Sequence, residues 1–284
     1  KSKRLMLIES QINNILSCNI VSQIAIKDSA IKIYKVLTDK GDIFLVKYQE
    51  KPNKDLINQA IELNLLRDYV HTPEVIWASE QYQILEWIEV KIQKNYQIQI
   101  GLSLASLHRA THSKFGFSFN NTIGEMPQFN AINKDITSWK EFYWQHRLKY
   151  QIEYAYNSNL LDYDLYERLL SIEPKLSKYI DNTIEPSLLH GDLWSGNVIN
   201  GEDNPYFIDS ACYFGHREID FSLIHMFGGF SDDFFKAYNE KYKLDEGFEQ
   251  RKPIYMLYHY LNHLNIFGKG YYSGVESCTS YILK

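Results

Sequence analysis

One stretch constrains this chain more than any other. It is Leu189-His190-Gly191-Asp192-Leu193-Trp194-Ser195-Gly196-Asn197-Val198-Ile199, answered by Tyr206-Phe207-Ile208-Asp209. Apolar runs (Ser187-Leu188-Leu189, Val198-Ile199, Tyr206-Phe207-Ile208) flank short polar segments, which reads as strands carrying a loop at their ends. Asp192, Asn197 and Asp209 then fall close together. An isolated Asp or Asn reads first as a turn residue bonding local backbone. Three of them, with His190, Gly191 and the strand contexts, point instead to the arrangement used for phosphoryl transfer. In it Asp192 accepts a hydroxyl proton, while Asn197 and Asp209 hold magnesium against nucleotide phosphates. Hard oxygen ligands suit that ion.

The totals allow this reading and exclude others. A chain of 284 residues can form one large domain or two lobes around a cleft. Its net charge of −5 gives no basic footprint for nucleic acid. Cys18, Cys212 and Cys278 are odd in number, far apart and without metal-ligand spacing, which fits a reduced, cytoplasmic setting. No apolar run approaches membrane-spanning length, and the first residues lack a signal-peptide core, so no membrane partner is expected. Ser195 does not lie in a nucleophile-elbow pattern. No histidine cluster has ligand spacing for a metal-only hydrolase.

Taken in order, the chain opens with an amphipathic helix through Leu5, Ile8, Ile12, Ile15 and Leu16. Runs at 19–26, 31–38 and 43–48 are rich in β-branched and aromatic residues, and Asp39-Lys40-Gly41 joins the last two as a hairpin. Lys47 ends Ile43-Phe44-Leu45-Val46-Lys47. Alone it reads as a solvated charge, but Glu62 sits among Ala60, Ile61, Leu63, Leu65 and Leu66 on a helix over 53–69, where a carboxylate is costly unless paired. A Lys47–Glu62 pair is therefore expected, with Lys47 reaching the α- and β-phosphates of ATP. Glycines that would let backbone amides approach those phosphates are missing: Lys27-Asp28-Ser29-Ala30 occupies the turn, and Ser29 with nearby amides is the substitute. Strands at 75–77 and 83–88 follow. Backbone groups of Glu86, Trp87 and Ile88 would meet the adenine edge, unless this is only an edge strand and loop.

A boundary near residue 90 separates a nucleotide-binding lobe (1–90) from a catalytic and substrate lobe (91–284). The second lobe reads as helical at 96–109, with His108 structural by default. A long loop over 113–136 follows. Next come an aromatic helix face (Trp139, Phe142, Tyr143, His146, Tyr150) better suited to core than to a pocket, and a helix or helix pair over 160–181 broken by Pro174. After Asp209, Asp220 stands near a helix start, where it can accept backbone amides and brace the catalytic loop. Helices over 231–242, 247–267 and 271–283 close the chain, with Pro253 needing a first turn or a kink.

The wording His-Gly-Asp-Leu-x-x-x-Asn resembles the aminoglycoside phosphotransferase and choline kinase superfamily. Longer strings narrow this. Ser187–Asn197, with its Trp194-Ser195 pair, is similar to the catalytic loop of the fructosamine (ketosamine) kinase family, and Asp209–Glu218 to its metal-binding segment. His216 and Ser210 depart from that family's usual Asp and Pro. Gly228-Gly229-Phe230, Arg251-Lys252-Pro253, Tyr258–Gly268, Phe115-Gly116-Phe117 and Trp139-x-x-Phe142 match further strings. The resemblance implies an α+β, bilobal protein kinase-like fold: a small antiparallel-sheet lobe with one main helix, then a larger helical lobe. It implies ATP and Mg2+, and phosphorylation of the sugar 3-hydroxyl of a ketoamine, on a small molecule or a glycated protein lysine, in deglycation. Carried over, Asp192 is the proton acceptor, Asn197 and Asp209 the magnesium ligands, Lys47 with Glu62 the phosphate contact, and Glu86–Ile88 the adenine hinge. Trp194 is the one substrate contact expected. The alternatives are another phosphotransferase of the superfamily, for aminoglycosides, choline or homoserine, and a non-catalytic nucleotide-binding module. Nothing in the chain decides its oligomeric state.

Overall fold

The computed structural model describes residues 3–130 and 134–284, with side chains from Ser10 onward. The chain divides into two compact units. One contains residues 1–92 and 199–208, the other 93–198 and 209–284.

The first unit is a five-stranded antiparallel sheet with helices. Its elements are α1 (Lys3–Leu16), β1 (Ile20–Lys27), β2 (Ile31–Thr38), β3 (Ile43–Gln49), α2 (Asp55–Leu66), β4 (Val75–Ala78) and β5 (Tyr82–Glu86). The strand order is β1-β2-β3-β5-β4, so β3 is central, and Lys47 pairs with Ile33 on one side and Gln83 on the other. Val36, Val46 and Ile84 form a small core with Ile12 of α1. Leu5 and Ile8, read above as part of the same apolar face, have side chains outside the described residues. Helix α2 buries Leu56, Ala60, Leu63 and Leu66, and Glu62 with them. Each fully buried aliphatic side chain contributes roughly 1.5–3 kcal/mol. The turn between β1 and β2 is closed by its own side chain, since the Ser29 hydroxyl donates to the Ile31 carbonyl at 2.9 Å.

The second unit begins with α3 (Tyr96–His108), which buries Ile100, Leu104 and Leu107. The segment read as one long loop instead forms a hairpin, β6 (Asn121–Ile123) and β7 (Met126–Gln128). Of that segment, 131–133 lie outside the described residues. Next come α4 (Trp139–Tyr143), a π-helical turn (Trp144–Leu148), α5 (Lys149–Asn157) and α6 (Tyr163–Leu170). A 3-10 turn follows at Glu173–Lys178, carrying Pro174 in its first turn. Strand β8 (Ser187–Leu189) pairs with β11 (Tyr213–Gly215); between them in sequence come β9 (Val198–Asn200) and β10 (Pro205–Phe207), which pair with each other and, from residue 199 on, belong to the first unit. Four helices close the chain: α7 (Phe221–Phe227), α8 (Asp232–Lys241), α9 (Phe248–Phe267) and α10 (Tyr272–Ile282). Pro253 lies inside α9, beyond its first turn.

Of the aromatic face, Trp139, Phe142 and Tyr143 are core as expected, whereas His146 and Tyr150 are half-buried and line a surface pocket with Phe129 and Lys149. Trp139, Phe142 and Tyr143 are buried against Tyr255, Tyr258 and Leu261 of α9. Among the described residues no helix is long and apolar enough to cross a membrane.

Candidate active site

The loop after β8 is held from beneath by Asp220. Its carboxylate accepts the amides of His190 at 2.7 Å and Gly191 at 2.8 Å, and the His108 Nε2–H at 3.1 Å. Asp220 and His108 are both fully buried. Arg217 donates to the Tyr238 hydroxyl at 3.1 Å, so that hydroxyl gives its own proton to His108 Nδ1, 2.8 Å away. This fixes the imidazole as neutral, with its remaining N–H on Asp220. Burial works to raise the Asp220 carboxyl, but the hydrogen bonds from His108 and from the Gly191 amide outweigh it and hold the group below the usual carboxylate range. For His108 burial prevails and lowers its pKa. The brace expected at Asp220 is present. His108, taken as structural, carries it, and sequence reasoning did not single out Arg217 or Tyr238.

Gly191 is required by geometry. Its φ is +83°, and a Cβ there would stand 1.9 Å from the Ala211 carbonyl oxygen. Gly191→Ala is expected to cost roughly 2–5 kcal/mol, from left-handed strain and overpacking together. Thermal melting checks this; an unchanged melting temperature contradicts it.

Above this support Asp192, Asn197 and Asp209 meet, all in the second unit. Asn197 Nδ2 donates to the Asp192 backbone carbonyl at 2.8 Å, and stands 3.2 Å from Asp192 Oδ2 and 3.4 Å from the Asp209 carbonyl. A carbonyl only accepts, so the amide nitrogen is identified and Oδ1 is the atom left for a cation. Asp209 adopts φ +50°, a left-handed conformation that costs energy in a residue with a side chain. The segment after it is clamped by the β6–β7 hairpin, where Asn121 donates to the Cys212 carbonyl and Gln128 to that of Ala211, both at 3.0 Å. Burial first, then the charge of Asp209, push the Asp192 carboxyl up to about 7, with Asn197 opposing. A buried carboxylate raised by the charge of a second one, beside an amide oxygen, makes a hard donor set short of positive charge. That fits magnesium.

The other expected residues lie as follows. Trp194 is 41% exposed and its ring lies across Gly196. Lys47 and Glu62 are buried in the first unit, and Lys47 donates to Gln59 Oε1 at 3.1 Å. Glu86, at the end of β5, accepts the Glu74 amide on its carboxylate at 3.1 Å. Trp87 donates to Glu89 at 2.9 Å beneath the Lys35 ammonium, and Ile88 is buried. Asn262, within the family-like string Tyr258–Gly268, accepts from Gln151 at 3.2 Å inside the unit, a bracing role. His216, Glu218 and Asp245 approach one another closely enough for a metal, but Arg251 grips Glu218 at 2.6 and 2.7 Å and Arg217 stands 3.2 Å from Asp245. Their charges are already matched.

Comparison with known proteins agrees with this geometry. The sequence profile of the family described as fructosamine kinase matches residues 6–284. The chain is 40% identical over 200 residues to a chloroplastic protein-ribulosamine 3-kinase of Arabidopsis thaliana; the match spans 69% of this chain and 60% of that protein. It is 35% identical over 250 residues to a probable ketoamine kinase of Enterococcus faecium, spanning 86% and 88% of the two. A crystal structure from Thermobifida fusca, provisionally named a fructosamine-3-kinase, superposes with a TM-score of 0.89 at 24% identity, over 97% of this chain and 98% of that one. The protein kinase-like α+β fold expected from the sequence is the fold found.

Proposed function

This chain belongs to the fructosamine kinase family, and from that premise we propose that it transfers the γ-phosphoryl group of ATP to the sugar 3-hydroxyl of a ketoamine. The convergence of Asp192, Asn197 and Asp209 carries the reading. Asp192 takes the proton of the attacking hydroxyl. Asn197, through Oδ1, and Asp209 would hold magnesium, which when bound neutralises charge on the β- and γ-phosphate oxygens. Lys47, braced by Glu62, contacts the α- and β-phosphates, and backbone groups of Glu86, Trp87 and Ile88 meet adenine. Trp194 faces the acceptor. We assign the nucleotide to residues 1–90 and acceptor chemistry to residues 91–284. Because phosphoryl transfer asks little covalent work of the protein, positioning and charge neutralisation supply most of the rate. Asp220 serves the first by fixing the loop that carries Asp192.

An acceptor panel with ATP consumption as readout tests the proposal. Fructosamine, ribulosamine or erythrulosamine should drive turnover, while an aminoglycoside, choline and homoserine should not. Turnover on one of the latter alone would transfer the chain to another branch of the superfamily. Binding of ATP with magnesium and no turnover on any acceptor would make it a nucleotide-binding module.

A further inference from the structure

Arg147 takes part in no step above, although it is among the largest fully buried side chains of the second unit. The π-helical turn Trp144–Leu148 carries it inward. Such wide turns are rare and frequently mark functional sites. One Nη donates to the Phe129 carbonyl at 2.6 Å and the His146 carbonyl at 2.8 Å, the other to Asn130 Oδ1 at 2.7 Å. The guanidinium also lies over the Tyr213 ring, 3.8 Å from its centroid, and 4.8 Å from that of Phe142. Among the described residues its Nε–H has no hydrogen-bond partner and no carboxylate pairs with it, so these few contacts are its whole anchorage. Moving a buried cation off its acceptors is costly, and the acceptors are held in place with it.

Two of those contacts lead to the segment after Asp209. A guanidinium only donates, so Asn130 presents Oδ1 to it, and Asn130 Nδ2 donates in turn to Asn121 Oδ1 at 2.8 Å. Asn121 Oδ1 also accepts Gln128 Nε2 at 2.9 Å, and Asn121 Nδ2 goes to the Cys212 carbonyl. Gln128 Nε2 is shared with the Ala211 carbonyl, while its Oε1 accepts the Tyr258 hydroxyl at 3.0 Å. Each amide orientation is thus fixed from both ends, by a donor-only group at one and by carbonyls at the other. Tyr213 is reached directly, through its ring.

Ala211, Cys212 and Tyr213 are therefore held by groups that trace to one buried charge. The Ala211 amide also donates to the His190 carbonyl at 2.9 Å, which ties this segment to the Asp192 loop. Asp209 stands just before it at φ +50°. Backbone strain of that kind persists only where the surroundings over-determine it, and the network from Arg147 supplies the surroundings.

We propose that Arg147 is a positioning residue for Asp209: acting through Asn130, Asn121 and Gln128, it keeps residues 209–213 in the conformation in which Asp209 serves as a metal ligand. This rests on the reading of Asp209 as a magnesium ligand given above. The test uses manganese, which takes the same hard oxygen donors, titrated by its electron paramagnetic resonance signal in the presence of AMP-PNP. Gln128→Met fills the same space and removes the donor to Ala211, while Arg147→Lys keeps the charge and loses the fork. Each should weaken manganese binding about tenfold or more, the effect of one lost buried hydrogen bond. Metal-free AMP-PNP binding and the KM for the ketoamine should not change. In the metal-free protein, amide hydrogen exchange over residues 209–213 should quicken about tenfold in both variants, with exchange in α3 unchanged. Unaltered manganese binding in Gln128→Met, beside a wild type that binds the metal, overturns the positioning role alone. Exchange that quickens equally in α3 does the same, because the residues then support the whole unit. A wild type that binds AMP-PNP and takes up no manganese overturns the metal reading of Asp209 and this proposal with it.

Discussion

Asp192→Asn lowers kcat about 100- to 10,000-fold and leaves the Kd for ATP within about threefold. The amide keeps the shape of the carboxylate and cannot take a proton from the attacking hydroxyl. The groups assigned to the nucleotide are untouched. Stability moves the other way. Burial and Asp209 raise the carboxyl to about 7, so near neutral pH the fold disfavours its charge, and a neutral amide relieves the repulsion. The melting temperature of the variant should equal or exceed that of the wild type. Steady-state kinetics, ATP titration and melting on one preparation check all three. Normal turnover would remove Asp192 as the base. A large fall in melting temperature would make the residue structural instead.

Asp220→Ala should be the most destabilising single change in the second unit. It removes one fully buried carboxylate and strands three donors, the amides of His190 and Gly191 and the His108 Nε2–H. Each stranded buried donor costs about 1–3 kcal/mol. The loop that presents Asp192 then loses its support, so kcat should fall along with stability. Asp220→Asn, which keeps one acceptor oxygen, should lie between alanine and wild type in both measurements. The folded-state pKa of Asp220 lies below the unfolded value, so its contribution is complete above the ordinary carboxylate range and is lost as pH falls through the folded value. Wild type and Asp220→Ala should therefore converge in stability as the pH is lowered. A constant gap down to pH 2 would contradict the assignment.

What could be read from the chain divides along physical lines. That Asp192, Asn197 and Asp209 come together was legible because all three lie within one short stretch, between strands that set its two ends. The first three strands of the first unit were legible because seven or eight residues rich in β-branched and aromatic side chains suffice to mark a strand. The β6–β7 hairpin was not. Strands of three residues are too short for periodicity, and what holds them is distant, the carbonyls of Ala211 and Cys212. The Arg217–Tyr238–His108 relay was hidden for the same reason, since Tyr238 is 130 positions from His108 in sequence. Each member alone is an ordinary residue. The proposed use of Ser29 on phosphate gains no support, because its hydroxyl is bonded to the carbonyl of Ile31.

On the proposed mechanism the Asp192 loop directs the phosphoryl group to one oxygen, the 3-hydroxyl, of a ketoamine sugar. The direct measurement is the 31P–13C coupling in the product of a reaction containing ATP, magnesium and a uniformly 13C-labelled ketoamine. A new phosphate ester coupled to C3 and its neighbours is expected, formed by the wild type and missing with Asp192→Asn. ATP bound or hydrolysed while every sugar carbon remains uncoupled to phosphorus would contradict it.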